Sequence, residues 1–153
     1  MTNAIFLDID GVINNINTQD SYNPYIRIDS ILVQRLAEIV TSANAKIYLI
    51  SDWKEYWQKD NKYEQHEIAN YIDYRLSCEG LVIEDKINGL NTTRGTNIKN
   101  FLLSHEIKNF VILDDMPFDY KKEGLSKNFI KTNAEYGITE DDMAKAIKIL
   151  TKK

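Results

Sequence analysis

Short apolar runs along the chain predict buried strands. Residues 4–7 (AIFL), 46–50 (KIYLI) and 110–113 (FVIL) are bounded by polar residues, which is typical of strands covered on both faces. Weaker strands are predicted at residues 81–83 and 129–130. Each of the three stronger runs is followed closely by residues with oxygen-bearing side chains, so the strand ends are the natural places to look for chemistry.

Between the strands, apolar residues recur at helical spacing and predict helices. Asp29 can cap a first helix, residues 96–103 predict another, and Thr139 with acidic Asp142 in its first turn opens the last. Their inward positions are Ile31, Leu32, Leu36, Ile39, Val40, Ile98, Phe101, Leu102, Met143, Ala146, Ile147 and Leu150. The aromatic-rich residues 53–77 also predict helix, whereas the Asn-rich residues 14–27 predict a loop.

Strands that alternate with helices predict an α/β fold, with a mostly parallel sheet covered on both faces. Right-handed crossovers bring the carboxyl ends of parallel strands to one edge, where such sheets bind their ligands. A chain of 153 residues is expected to form a single domain over residues 1–153.

The strand ends carry residues that suit a magnesium site. Asp8 and Asp10 follow the first strand, Ser51 follows the second, and Asp114 and Asp115 follow the third of the strong apolar runs. Carboxylates gathered at one sheet edge repel one another unless a cation is present or some are protonated. Mg²⁺ suits such a set of oxygen ligands, so we expect Mg²⁺ as the cofactor.

The spacing Asp8-x-Asp10 also suits phosphoryl transfer. Asp8 could attack phosphorus and form an aspartyl-phosphate. Asp10 could protonate the departing oxygen and later activate water. Gly11 would let the chain turn sharply after the strand. The predicted activity is therefore phosphomonoester hydrolysis.

Several motifs resemble those of the haloacid dehalogenase (HAD) superfamily of phosphohydrolases. FLDIDGVIN resembles its first motif, and LISDW resembles the second, with Ser51 as a phosphate-binding hydroxyl. VILDDMPFD resembles the fourth motif, with Asp114 and Asp115 as metal-site residues and Asp119 at the further acidic position. The resemblance implies a three-layer, Rossmann-like, doubly wound fold and an Mg²⁺-dependent phosphatase with metal ligands Asp8, Asp10, Asp114 and Asp115.

The third motif of that superfamily supplies a cation that binds phosphate, and Arg94 in TTRGTNIKNFLL stands in its place. The family residue is usually lysine, so Lys86 and Lys99 are alternatives. An arginine would bind phosphate with two parallel hydrogen bonds, whereas a lysine would act as a point charge.

The combined pattern resembles the capless HAD domain of Swiss Army Knife RNA repair proteins. The gaps from Asp10 to Ser51 and from Ser51 to Arg94 are too short for a large lid, so the fold is expected to have minimal or no cap. An open site would admit the 5′ or 3′ phosphate end of a nucleic acid. The alternatives are a small phosphoester, such as a nucleotide or sugar phosphate, and a non-catalytic phosphate-binding module. A homodimer could cover the open site.

The composition bears on nucleic-acid binding and on cellular location, but it does not indicate a substrate. The net charge of -4 and the pI of about 5.2 argue against strong non-specific nucleic-acid binding. No apolar stretch is long enough to span a bilayer, so a cytoplasmic location without a membrane partner is expected. Cys78 is expected to be a small buried residue, and His66 and His105 are expected at the surface.

Four further residues lie close to the motifs. Asn14 suits either a substrate contact or turn chemistry. Asp52 suits a helix cap, since it follows Ser51 directly. Trp53 and Trp57 suit the core or a wall of the site, with base stacking as the alternative.

Overall fold

Five parallel strands form one sheet in the order β3-β2-β1-β4-β5. The computed structural model describes residues 1–89 and 91–153. The strands are β1 (Thr2–Leu7), β2 (Ala45–Leu49), β3 (Ile83–Lys86), β4 (Ile107–Asp114) and β5 (Phe129–Lys131). The predicted α/β fold is confirmed. The chain leaves β1 for β2 on one side and returns through β4 on the other, so the direction of winding reverses between β1 and β4, where such sheets bind ligands.

Four helices are present in the described residues, and three of them begin close to the predicted positions, whereas α2 begins well after residue 53. They are α1 (Ser30–Ala43), α2 (Glu67–Ser77), α3 (Arg94–Ser104) and α4 (Glu140–Leu150). The Asp29 carboxylate accepts hydrogen bonds from two backbone N–H groups of α1. Thr139 and Asp142 form a reciprocal capping box at α4. Both caps were predicted because these side chains satisfy N–H groups that have no partner within the helix.

The helices cover both faces of the sheet. In β1, Ile5 and Leu7 pack into a core with α1, α2 and α4. Ala4 and Phe6 point to the opposite face and pack into a second core with α3, where Phe101 meets Phe6 edge to face. These four side chains are fully buried, and each of the three large ones stabilises the fold by roughly 2 kcal/mol. This layering is the predicted three-layer, doubly wound arrangement.

The segment between β2 and β3 differs from the prediction of continuous helix. It forms two short 3-10 turns, Asp52–Tyr56 and Lys62–Glu64, before α2 begins. The Lys86 ammonium donates to the carbonyls of Lys54 (3.0 Å) and Trp57 (2.7 Å). A side chain from β3 therefore caps the end of the first turn. Asn61 then adopts a left-handed conformation that breaks any continuing helix.

Four local predictions are wrong. The third strand is Ile83–Lys86, not residues 81–83, because it is an edge strand and tolerates charged residues. Ile31 was predicted to face inward but is exposed. Cys78 is exposed at the end of α2, not buried. The cap of the turn at residues 52–56 is Ser51, so Asp52 is its exposed first residue and not the cap.

The carboxyl edge of the sheet is not covered by a separate layer. Within the described residues, the connection after β1 contains a loop and α1, the connection after β2 contains two 3-10 turns and α2, and neither contains a cap domain. His66 and His105 are exposed, as predicted. In the same part of the chain, no helix has the length and apolar character needed to cross a membrane. The assignment of residues 1–153 to a single domain stays a prediction.

Candidate active site

Two adjacent strands bring three carboxylates together. Asp114 is the last residue of β4, and Asp8 follows β1 directly, with its N–H bonded to the Leu113 carbonyl at 2.9 Å. Oxygen atoms of Asp8, Asp114 and Asp115 lie within 4.8 Å of one another. This part of the predicted metal set therefore meets at the sheet edge.

Arg94 connects two of these carboxylates. It is the first residue of α3, and its Nη1 lies 2.7 Å from Asp114 Oδ2 and 3.3 Å from Asp8 Oδ1. The two alternative cations lie elsewhere: Lys86 donates to backbone carbonyls, and Lys99 pairs with Glu123 at 3.6 Å. Of the three candidates, Arg94 is the one placed to meet a phosphoryl group near Asp8.

Burial and the repulsion between like charges shift the pKa values of the groups in this cluster. The Asp8 carboxyl is 5% exposed, and its pKa is raised to about 8 by burial first and by Asp114 second, with Arg94 opposing both. Burial and Asp114 also raise the pKa of Asp115. Burial opposes the charge on Arg94, but Asp8 and Asp114 raise its pKa above the usual value, so it stays a cation. A metal ion would stabilise the ionised form of Asp8.

Asp114 is fully buried and is held by three donors. Tyr120 Oη donates to its Oδ2 at 2.6 Å, the Met116 N–H donates to its Oδ1 at 3.0 Å, and Arg94 completes the set. Burial, and then Asp114, raises the pKa of the Tyr120 phenol, so the phenol keeps its proton and acts as the donor. The sequence analysis missed Tyr120, because only the turn after β4 aims it back at Asp114.

Asp10 has a different environment from Asp8. Its side chain is exposed, and its oxygens accept hydrogen bonds from Asn14 Nδ2 and Trp53 Nε1, each at 2.9 Å. Asn14 also accepts from the Gly11 N–H at 2.8 Å, so its turn chemistry and its contact with Asp10 occur together. The Asp10 carboxylate is therefore held in a fixed orientation by two donors, and it is not part of the group formed by Asp8, Asp114 and Asp115.

Gly11 is required where the chain leaves the first strand. Its φ is +78°, and a Cβ at this position would lie 2.5 Å from Asp115 Oδ2. Its carbonyl accepts from Thr132 Oγ1 at 2.7 Å. A side chain here would displace Asp115. The glycine of the first motif therefore allows the chain after β1 to pass close to Asp115.

Ser51 follows β2 and is almost fully buried. Its Oγ accepts from the Trp53 N–H at 3.2 Å and so caps the turn at residues 52–56. No acceptor among residues 1–89 and 91–153 takes its hydroxyl proton at hydrogen-bond distance, so that proton is free to donate to a phosphoryl oxygen.

Asp119 caps α3 from outside the helix. Its carboxylate accepts from the N–H groups of Gly95 (2.8 Å) and Thr96 (3.3 Å) and from the Thr93 hydroxyl. Although burial opposes it, these hydrogen bonds hold the pKa of Asp119 below its usual value. Since Arg94 begins that helix, Asp119 positions the arginine. Sequence reasoning placed Asp119 in the motif without identifying this contact.

Two more residues that the sequence analysis missed lie beside Arg94. Phe118 places its ring 4.4 Å from the Arg94 guanidinium. Lys54, on the turn at residues 52–56, lines the same cavity of about 420 Å³. Of the predicted wall residues, Trp53 contacts Asp10, whereas Trp57 is buried in the core.

One comparison with known proteins gives a match. Residues 4–143 match the family described as the HAD domain in Swiss Army Knife RNA repair proteins. The comparisons with curated proteins and with solved structures give no match.

Proposed function

The chain belongs to the family of HAD domains in Swiss Army Knife RNA repair proteins, and from this premise we propose that it is a magnesium-dependent phosphomonoester hydrolase that uses Asp8 as its nucleophile. The observation that carries the proposal is the cluster of buried Asp8 and Asp114 and half-buried Asp115, with Arg94 beside it. A structural ion pair would need one carboxylate for one arginine. Three carboxylates for one arginine leave charge for a metal ion to neutralise.

The donor set fits magnesium. All candidate ligands are oxygens, and Asp8, Asp114 and Asp115 already lie within 4.8 Å of one another. We assign the ion to these carboxylates together with the backbone carbonyl of Asp10. When bound, it would neutralise negative charge on the phosphoryl oxygens and on the cluster.

The hydrolysis has two chemical steps. In the first, an oxygen of Asp8 forms a bond to phosphorus, the bond to the leaving oxygen breaks, and Asp10 gives that oxygen its proton. In the second, Asp10 takes a proton from water, the water oxygen bonds to phosphorus, and the bond to Asp8 breaks to release phosphate. Ser51 and Arg94 bind the phosphoryl oxygens and stabilise the charge of both transition states.

The environments of the two aspartates support this division of roles. Asp8 is buried against Arg94, where a phosphoryl group would be shielded from water. Asp10 is exposed and is held by Asn14 and Trp53, so it can exchange protons with water. The fixed Asp10 also argues for an enzyme over the non-catalytic binding module, because binding alone does not need an oriented acid.

The open sheet edge supports two substrate classes. The absence of a cap within the described residues would let the phosphorylated 5′ or 3′ end of a nucleic acid reach Asp8. The cavity of about 420 Å³ beside Arg94 has the size of a metabolite, which favours a nucleotide or sugar phosphate. A cytoplasmic location and a homodimer that covers the site stay predictions.

Phosphate release with and without Mg²⁺ tests the activity. The substrates are an aryl phosphate, nucleotides, sugar phosphates and oligonucleotides phosphorylated at either end. We expect release to need Mg²⁺ and to fall by more than about 10,000-fold in Asp8→Asn, while the exposed control Asp60→Asn keeps its rate. Activity that persists in a folded Asp8→Asn variant, judged by circular dichroism, would overturn the assignment of the nucleophile.

A trapping experiment tests the covalent intermediate. Asp10→Asn should slow the attack of water on the aspartyl-phosphate, so intact-protein mass spectrometry after mixing with aryl phosphate should show an added phosphoryl group. The double variant Asp8→Asn/Asp10→Asn should show none. A phosphoryl group on any other residue would exclude the proposed route.

A further inference from the structure

A cavity adjoins the catalytic cluster on the side of Arg94. It has a volume of about 420 Å³, and its walls come from the turn at residues 52–56, the start of α3 and the segment after β4. We call it the Arg94 cavity and define it by Lys54, Thr93, Arg94 and Phe118; two carboxylates, Asp52 and Asp119, also line it, and Asp52 pairs with Arg94 at 3.4 Å. Because the Arg94 guanidinium contacts both Asp8 and this cavity, a substrate whose phosphate reaches Asp8 would place the rest of its structure within reach of it.

Lys54 supplies a second cation to the Arg94 cavity. Its side chain is half-buried, and its ammonium makes no hydrogen bond or ion pair with the residues that the structure describes. Burial first, and the nearby Arg94 charge second, lower the pKa of Lys54, while the charges of Glu55 and Asp52 oppose them. Its backbone is held, since its carbonyl accepts from Lys86 Nζ at 3.0 Å. A half-buried cation without a partner loses solvation that an incoming anion would restore.

Phe118 supplies an apolar wall to the same cavity. Its φ is +39°, a conformation that costs a bulky residue about 1–3 kcal/mol. The ring is 53% exposed and lies 4.4 Å from the Arg94 guanidinium. This conformation holds an aromatic side chain in solvent at the mouth of the site, where it can cover the carbon part of a ligand.

We propose that the Arg94 cavity is a leaving-group subsite for phosphomonoesters that carry a second phosphate, with Lys54 binding that phosphate and Phe118 packing against the carbon skeleton between the two. The proposal rests on the proposed function, because the reacting phosphate at Asp8 sets the position of the second. Two sources share this chemistry: a small bisphosphorylated metabolite, and the phosphodiester next to a phosphorylated nucleic-acid end.

The first test measures binding without turnover. Titration calorimetry of Asp8→Asn with Mg²⁺ would compare a nucleoside 3′,5′-bisphosphate with the matching nucleoside monophosphates. We expect the bisphosphate to bind about tenfold more tightly, as one charge-assisted contact would give. Adding Lys54→Met should abolish the preference, whereas adding Lys59→Met, which removes an exposed lysine paired with Asp85, should keep it. Equal affinities before Lys54 is changed would overturn the subsite.

The second test measures selectivity in the active enzyme. Lys54→Met should lower kcat/KM for the bisphosphate about tenfold relative to an aryl phosphate, and Phe118→Leu should raise KM for nucleoside substrates. A dinucleotide with a terminal phosphate distinguishes the sources: preference for it over the bisphosphate indicates a nucleic-acid end, and the reverse indicates a metabolite.

The failures of the two proposals look different. Mg²⁺-dependent release from aryl phosphate without any Lys54-dependent preference would overturn the subsite and leave the phosphatase standing. No release from any substrate by the folded protein would overturn the phosphatase, and the calorimetric comparison would still decide whether Lys54 binds a second phosphate.

Discussion

The catalytic cluster (Asp8, Asp114, Asp115 and Arg94) and the wall beside it (Trp53, Lys54 and Phe118) are built in opposite ways. In the cluster, Asp8, Asp114 and Arg94 are nearly or fully buried and bonded to one another. In the wall, Lys54 and Phe118 are half-exposed, on a short turn and on a strained residue of the loop after β4. The cluster lies at the ends of the central strands β1 and β4 and at the start of α3, where a fixed geometry favours catalysis. The wall sits on loops, where changes cost little and substrate selectivity is usually located.

Asp8 and Asp10 show this difference between buried cluster and exposed wall over only two residues. They are two residues apart, yet one belongs to the cluster and the other faces the solvent with Trp53 from the wall. The strand ends at Leu7 and the turn begins at Asp10, so Asp8 stays at the buried strand end while Asp10 lies on the exposed turn. Variants of the cluster should therefore affect turnover strongly for every substrate, and variants of the wall should affect it weakly and selectively.

After Asp8 itself, the largest effect is expected at Arg94. Arg94→Met removes the cation that contacts Asp8 and Asp114 and should lower kcat about 100- to 1,000-fold for all substrates. Arg94→Lys should recover part of the rate, because lysine keeps the charge but not the fork of donors. Steady-state kinetics measure this, with Arg35→Met, which removes a partly buried bond to Ile138, as the control. A loss under tenfold would place Arg94 outside the mechanism.

The next effect is a fall in metal-free stability as the pH rises. The Asp8 pKa is about 8 in the folded chain and 3.8 in the reference state. Between these values the folded state holds up to one more proton at Asp8 than the unfolded state, so Asp8 lowers the free energy of unfolding by at most about 1.4 kcal/mol per pH unit. The raised pKa of Asp115 acts in the same direction.

Thermal melting in a chelator at pH 5.5, 6.5 and 7.5 measures this slope. We expect the melting temperature to fall across the series, Asp8→Asn to flatten it, and Mg²⁺ to restore stability at pH 7.5, since the ion binds the ionised cluster. A melting temperature that rises with pH in the chelator would contradict the account of the cluster.

A smaller effect is expected where the cluster depends on a cap. Asp119→Ala removes the carboxylate that caps α3 and should cost about 1 kcal/mol of stability. Because Arg94 begins that helix, we also expect kcat/KM to fall several-fold. Asp142→Ala removes a comparable cap from α4, away from the site, and should lower the denaturation midpoint without lowering kcat/KM. Equal activity losses in the two variants would show that Asp119 acts through stability alone.

The same contrast explains how much the sequence could predict. Asp8 and Asp114 were predictable because each ends an apolar run, and parallel strands leave few places for their ends. Arg94 was one of three candidates, since its position depends on where α3 starts and on the cap from Asp119. The two aspartates follow from short-range patterns, whereas the choice of Arg94 depends on a contact between distant parts of the chain.

The wall depends on contacts that no local pattern reveals. Lys54 is presented by a turn whose carbonyls are held by Lys86. The cluster has one such contact as well, since Tyr120 donates to Asp114 from the loop after β4, two residues beyond Phe118 with its positive φ. Such contacts join residues that are far apart in the sequence through single side chains. The periodicity of apolar residues therefore does not predict them.

The smallest effect is expected at Trp53, where the wall touches the acid. Trp53→Phe keeps an aromatic ring but removes the 2.9 Å hydrogen bond to Asp10, a loss of about 1 kcal/mol or less in orientation. Orientation of the acid matters most when the leaving group needs a proton. We therefore expect an alkyl phosphate to lose several-fold in kcat and p-nitrophenyl phosphate, whose leaving group is stable as an anion, to lose less.

The ratio of these two rates separates positioning from stability. Trp57→Phe removes an indole bond of the same length to Asp73 within the same segment, but without contact to Asp10. It should lower the melting temperature and leave the ratio of alkyl to aryl rates unchanged. A ratio that Trp53→Phe does not change would mean that Asp10 is oriented by Asn14 alone. The wall would then act on the substrate only, and the boundary between the two regions would lie between Asp10 and Trp53.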